Sequence, residues 1–202
     1  TRPRQRLGQN FMTDAAALES IREAVAQIPA QAVLEIGPGA GFLTERLLER
    51  GLPLTVVDAD RRFCEALTTR FTARPSPQPD STASLSSVPP VRVVHSDILR
   101  WDPAGTLPPQ TVVAGNIPYN ITSPILAWLM DRRELWAGVG LTVQREFAER
   151  LVAPAGTRDC GPISIWMQLH ADIRIVRVIG RGAFAPPPKV DSAVVRMIPY
   201  DT

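Results

Sequence analysis

Three features of the sequence predict an α/β fold built on a mostly parallel sheet. Short apolar runs alternate with segments of helical period, a glycine-rich turn joins the first run to a helix, and the last two runs follow one another with no helix between them. Residues 32–36, 54–57, 91–95, 111–114, 139–143, 173–178 and 193–198 read as seven strands. Residues 41–50, 61–71, 122–130 and 145–152 carry apolar positions three or four apart and read as helices. Thr122 with Pro124 in the first turn marks a helix start, and Glu146, four residues before Arg150, supplies a supporting ion pair. Such alternation places helices on both faces of a parallel sheet. The last two strands then form an antiparallel hairpin at one sheet edge.

At 202 residues the chain is long enough for one sizeable core, so residues 1–202 are read as a single domain. Residues 73–90 interrupt it; they are dominated by Pro, Ser and Thr, cannot bury a core, and read as a flexible insertion. With 45% hydrophobic and 21% charged residues, the composition is that of an ordinary folded protein. No apolar run approaches the roughly 18 to 20 residues that cross a bilayer, so no membrane partner is expected. The expected location is the cytoplasm, with the mitochondrion open if a targeting peptide has been removed. Cys64 and Cys160 lie far apart with no His/Cys cluster, which predicts free thiols and no metal site. A net charge of +2 points to no partner by itself, since nucleic-acid footprints depend on clustering. Arg2, Arg4 and Arg6 form a basic arm that suits phosphate contact and equally suits a solvated terminus. Arg132 and Arg133 are open in the same way.

The stretch Glu35-Ile36-Gly37-Pro38-Gly39-Ala40-Gly41 follows the first strand and opens a helix, the setting a nucleotide-binding loop requires. Its G-x-G-x-G spacing differs from the G-x-G-x-x-G of dinucleotide folds, which favours a nucleoside without phosphate. A glycine loop alone also fits a plain tight turn. Asp58 ends the second strand, where a carboxylate accepts both hydrogen bonds of a ribose diol, and Asp97 ends the third, in reach of an adenine amine. Singly, each acid also fits a cap or turn. Together they suit a cationic sulfonium cofactor.

Asn116-Ile117-Pro118-Tyr119 follows the fourth strand, at the same carboxyl edge of the sheet where ligands bind in open α/β folds. An exocyclic adenine amine is a weak nucleophile and needs positioning. The Asn116 side-chain oxygen and the Ile117 carbonyl can accept its two N–H bonds and favour the charge that develops on nitrogen. Pro118 fixes the turn, and Tyr119 offers a ring face for stacking. Taken alone, the tetrapeptide also fits a Pro turn with a buried tyrosine.

These motifs, in this order, resemble the ribosomal RNA adenine dimethyltransferase family. Gly8-Gln9-Asn10-Phe11, Glu35 to Gly41, Asn116 to Tyr119 with Asn120-Ile121, and Val143-Gln144-Arg145-Glu146 are similar to family motifs, as is Phe184-Ala185-Pro186-Pro187-Pro188-Lys189-Val190-Asp191-Ser192-Ala193-Val194-Val195. The resemblance implies a Rossmann-like methyltransferase fold and S-adenosyl-L-methionine as cofactor. It places cofactor contacts at Asn10, Met12, Gly37, Gly39, Asp58, Asp97 and Asn116. It also implies catalysis at Asn116, Ile117, Pro118 and Tyr119, with Phe184 facing Tyr119 as the second wall of an aromatic clamp. Gly8-Gln9 and Cys160-Gly161-Pro162 look closest to the small-subunit branch, which implies a monomer dimethylating adenine N6 in a small-subunit ribosomal RNA precursor. The alternatives are large-subunit methylation giving macrolide resistance, and a non-catalytic ribosome-assembly or mitochondrial transcription factor on the same fold. Three departures stand out: Asp58 where many members have glutamate, Cys160 where they have tyrosine, and an end at Thr202, before the helical RNA-binding domain that members carry.

Overall fold

The computed structural model describes residues 10–72 and 91–200, so the basic arm at Arg2, Arg4 and Arg6 and the insertion at 73–90 lie outside the described residues. A seven-stranded sheet forms the centre, in the order β4-β3-β2-β5-β6-β9-β7. Its strands are β2 (Ala32–Ile36), β3 (Leu54–Asp58), β4 (Val91–His95), β5 (Thr111–Asn116), β6 (Trp136–Gln144), β7 (Ala171–Ile179) and β9 (Ser192–Pro199). The first five run parallel; β9 pairs antiparallel with both β6 and β7. The expected hairpin is therefore present, with β7 at the edge and β9 inserted between it and β6.

Alternation along the strands buries both faces of the sheet. Leu34, Ile36, Val113, Leu141 and Val195 point to one side. There they meet Ile125, Leu126 and Leu129 of α4 (Thr122–Met130), Leu151 of α5 (Arg145–Leu151) and Met167 of α6 (Pro162–His170). Val33, Val56, Val112, Ala114 and Val194 point to the other. They meet Ile21 and Val25 of α1 (Ala15–Ala26), Leu43 and Leu47 of α2 (Phe42–Leu48) and Leu67 of α3 (Arg61–Thr72). Close approach sets the position of α1: a Cβ on Gly140 of β6 would lie 2.7 Å from Val25 Cγ1.

Two helices, α1 and α6, add to those expected from periodicity. Asp14 caps α1 by accepting from Ala17 N at 2.7 Å, which satisfies one of the donors a helix start leaves free. At its other end, Arg50 donates to the carbonyls of Val25 (2.6 Å) and Ile28 (2.7 Å), fixing α1 to the turn after α2. Pro162 opens α6, and Ser164 Oγ accepts from Gly161 N (3.2 Å) while donating to Arg150 O (2.6 Å). Two local expectations change. The ion pair on α5 is Arg145 with Glu149 at 2.8 Å, one residue earlier than Glu146 with Arg150. Thr122 lies inside α4 and makes no capping bond, because a 3₁₀ turn at Tyr119–Ile121 feeds the chain directly into the helix.

A second, two-stranded sheet joins β1 (Phe11–Met12) to β8 (Phe184–Ala185), with Met12 opposite Phe184. Thr13 N donates to Ala183 O at 2.9 Å beside it. This ribbon holds the N-terminal end of the described chain at the carboxyl edge of the parallel strands, where Phe11 and Met12 border the cavity described below.

Candidate functional site

Parallel strands β2, β3 and β5 deliver their last residues to one edge, and a cavity of about 290 Å³ opens there. The turn after β2 forms its floor. Gly37 N donates to Val57 O (2.9 Å) and Gly41 N to Pro38 O (2.9 Å), which folds the loop back over β3. Gly39 has φ +53, and a Cβ there would lie 2.9 Å from the Phe11 ring, so both backbone conformation and space call for glycine. Phe11 in turn packs edge-on against Phe63, with centroids 5.5 Å apart.

Asp58 is buried under this loop. Its Oδ2 accepts from Gly39 N at 3.2 Å and its Oδ1 from Asp60 N at 2.8 Å. Burial raises its pKa, and these two backbone bonds oppose the rise. Each carboxylate oxygen keeps lone-pair capacity for a further donor. Asp97, beyond β4, is exposed; its Oδ1 accepts from Leu99 N at 3.0 Å, which orients the carboxylate on the cavity rim. Glu35 is only 1% exposed beneath the glycine turn and accepts from Thr44 Oγ1 at 2.6 Å. Burial pushes its pKa up to about 8; the Thr44 bond opposes this and the Asp58 carboxylate adds to it. A neutral carboxyl group thus lies against the cavity at neutral pH.

Asn116 ends β5. Its Nδ2 donates to Asn10 O at 2.9 Å, which commits the amide hydrogens to the N-terminal segment. The Oδ1 atom is then the group left to accept from a ligand. Ile117 is buried, and the Pro118 carbonyl accepts from Ile121 N at 3.2 Å within the turn. The Tyr119 hydroxyl forms a short hydrogen bond with Ser192 Oγ, tying the turn to the start of β9. Burial raises the phenol pKa, so Tyr119 acts as a neutral ring.

Asn10, Met12, Gly37, Gly39, Asp58, Asp97, Asn116, Ile117, Pro118 and Tyr119 all line this one cavity. Phe184 stands apart: it is 4% exposed, packs in the core cluster with Met12 and Leu18, and does not border the cavity. Pairing of β8 with β1 places this ring beside Met12, so Phe184, expected opposite Tyr119, is not among the residues that line the cavity. Three contributors went unread in the sequence. Phe11 adjoins the glycine turn, Glu35 lies beneath it, and Ser192 holds Tyr119. All three stand inside the family motifs, Phe11 after Asn10, Glu35 before the glycines and Ser192 within the Phe184 to Val195 stretch, but no role could be read for them there. Among the described residues, no group of three or more His, Cys, Asp or Glu could hold a metal.

Known proteins share this arrangement. The family described as ribosomal RNA adenine dimethylase matches residues 1–202. Ribosomal RNA small subunit methyltransferase A of Pseudomonas syringae pv. tomato is 37% identical over 203 residues, covering 100% of this chain and 70% of that protein. The protein of the same name from Geobacter metallireducens is 37% identical over 204 residues, covering 99% and 69%. Among solved structures, a dimethyladenosine transferase from Plasmodium falciparum aligns with a TM-score of 0.78 at 30% identity, covering 94% of this chain and 63% of that one. The 23S rRNA methyltransferase ErmE aligns with a TM-score of 0.76 at 29% identity, covering 95% and 70%. The chain therefore spans about 70% of the length of these curated relatives and 63% of the Plasmodium enzyme. With a match over every residue and relatives 37% identical along its whole length, the chain belongs to the ribosomal RNA adenine dimethylase family.

Proposed function

We propose that this chain, a single methyltransferase domain acting as a monomer, transfers two methyl groups from S-adenosyl-L-methionine to the N6 atom of adenines in small-subunit ribosomal RNA. The observation that carries this reading is the Asn116 amide, fixed by its bond to Asn10 O so that Oδ1 is the free acceptor, on the same cavity wall as Tyr119. S-adenosyl-L-methionine, when bound, supplies an electrophilic methyl group on a sulfonium.

The residues present fit that molecule. The cavity of about 290 Å³ has a glycine turn whose backbone lies open to a ligand, and two carboxylates, Asp58 and Asp97, that suit a ribose diol, an adenine amine and a net positive charge. Asn10 and Met12 close it from the N-terminal side. Phe184 holds Met12 in place through the β1–β8 ribbon. At the reacting end, Asn116 Oδ1 and the Ile117 carbonyl would accept hydrogen bonds from the two N6 N–H groups of an unmethylated adenine and so orient the nitrogen lone pair. Positive charge developing on that nitrogen during methylation would be stabilised by both acceptors more than the neutral amine is. Tyr119 supplies the face on which the extruded base stacks. Methylation makes N6 acidic, and a proton leaves it to solvent.

The test is transfer of labelled methyl groups to immature small ribosomal subunits, followed by nucleoside analysis for dimethyladenosine. Label confined to large-subunit RNA, or none with the cofactor still bound, would sink this reading. Ser192→Ala should lower kcat/KM for RNA about fivefold to tenfold, the worth of one hydrogen bond, by freeing the Tyr119 ring. Cofactor affinity, measured by calorimetry, should stay unchanged.

A further inference from the structure

A second depression, about 500 Å³ in volume and open to solvent, lies outside the cofactor cavity and is lined by three cations, Arg145, Arg181 and Lys189, and three carboxylates, Glu146, Glu149 and Asp191. It sits at the same edge of the sheet. Arg145 directly follows Gln144, the last residue of β6, and Gln144 is opposite Ser192 in the pairing with β9. On its other side β6 pairs with β5, where Thr142 is opposite Asn116.

The three cations are not equally available. Arg145 Nε is held by Glu149 at 2.8 Å. Asp191 is turned toward backbone groups: its Oδ1 accepts from Arg181 N (3.1 Å) and its carbonyl from Arg145 N (3.0 Å). Among the described residues, neither the Arg181 guanidinium nor the Lys189 ammonium is in an ion pair, and both residues are exposed. Lys189 is also the only lysine of the chain. Pro186, Pro187 and Pro188 precede it, and Pro188 is buried, so the ammonium projects from a stiff, anchored segment. Glu146 and Asp191 also border it, so once Arg145 is paired with Glu149 the lining carries no net formal charge, and Arg181 and Lys189 are the two cations left to meet an anion. A singly charged phosphodiester suits such a balanced site better than a terminal phosphate or a polyphosphate, which would bring extra negative charge against the Glu146 and Asp191 carboxylates.

Lys189 is three residues from Ser192, a reach of at most about 10 Å along the chain. Ser192 holds Tyr119. An anion bound at Lys189 is therefore within a few nucleotides of a base lying on the Tyr119 ring.

We propose that this depression docks a backbone phosphodiester of the RNA strand beside the target adenosine, with Arg181 and Lys189 as its two cationic contacts. The proposal rests on the reading of the chain as an RNA methyltransferase. It gives the substrate a positional anchor independent of the cofactor cavity, since phosphate contacts set register while base contacts specify.

The experiment measures binding of a fluorescent single-stranded RNA to the full chain by anisotropy across a salt series. It compares wild type with Arg181→Gln, Lys189→Gln, the double variant and Lys189→Arg, and uses Arg61→Ala, on the far helix α3, as control. Each neutralised contact should weaken binding about fivefold at 0.1 M salt and reduce the slope of log affinity against log salt by about 0.7, the single-strand value per phosphate. Lys189→Arg and Arg61→Ala should retain the wild-type slope, and calorimetry should find cofactor affinity unchanged in all variants. A double variant with wild-type affinity and slope, or a wild type that does not bind the RNA, overturns the site. The two readings fail separately: RNA binding that depends on Arg181 and Lys189 without any methylation keeps the site and removes the activity. Methylation with undiminished affinity in the double variant does the reverse.

Discussion

Asn116→Ala is expected to lower the single-turnover rate of methyl transfer by about 10²- to 10³-fold, the cost of removing one group aimed at developing charge. Its amide is the part of the site with a defined division of labour: Nδ2 is committed to Asn10 O, and Oδ1 is left for the substrate amine. The effect should fall on the chemical step. Losing one part-buried hydrogen bond costs about 1 kcal/mol of stability, so the protein should stay folded and bind S-adenosyl-L-methionine within a few fold of wild type. Rapid-quench transfer assays with saturating RNA check this, and a rate within tenfold of wild type would remove Asn116 from the amine-orienting role.

The second large effect concerns stability and pH. Glu35 ionises near 4.5 when exposed, whereas burial in the fold raises its pKa to about 8. Between those values the native state keeps a proton that the unfolded state has lost, so stability falls as pH rises through this window and levels off above it. The loss amounts to roughly 3–5 kcal/mol in the ligand-free protein. Asp58, whose pKa burial also raises, acts in the same direction. Glu35→Gln has nearly the same shape, keeps an acceptor for Thr44 and carries no proton to lose. Its Tm should exceed that of wild type by about 10 °C more at pH 8 than at pH 5, at about 2–4 °C per kcal/mol for a chain of this size. Parallel Tm curves from pH 5 to 8 would show that Glu35 ionises normally in the fold.

Much of the sheet was legible because the central strands β2, β3 and β5 are short apolar runs buried on both faces. β2 and β4 match the expected boundaries, and β3 and β5 extend one and two residues beyond them. β6 begins at Trp136 rather than Val139, since Gly138 interrupts its apolar pattern. That the final two strands form a hairpin could be read; that β9 rather than β7 contacts β6 could not, because both runs are apolar enough to lie inside. The site followed the strands. Asp58 and Asn116 are the last residues of their strands and Gly37 and Asp97 stand just past theirs, where backbone direction alone converges them. Phe184 and Ser192 behave differently, as their surroundings depend on pairings with β1 and with the Tyr119 turn, made across long stretches of chain. Two-residue strands such as β1 and β8 have no period to detect.

The β1–β8 ribbon also sets an order on how the molecule is made. Thr13 and Ala183, which flank it, are 170 residues apart in sequence, and closing so long a loop carries a large entropic cost that only an already folded sheet offsets. Until residues 184 and 185 are made, Phe11 and Met12 have no partner strand to pair with. A chain clipped after residue 183 would lack β8, and the β1 segment that borders the cavity would lose its strand partner.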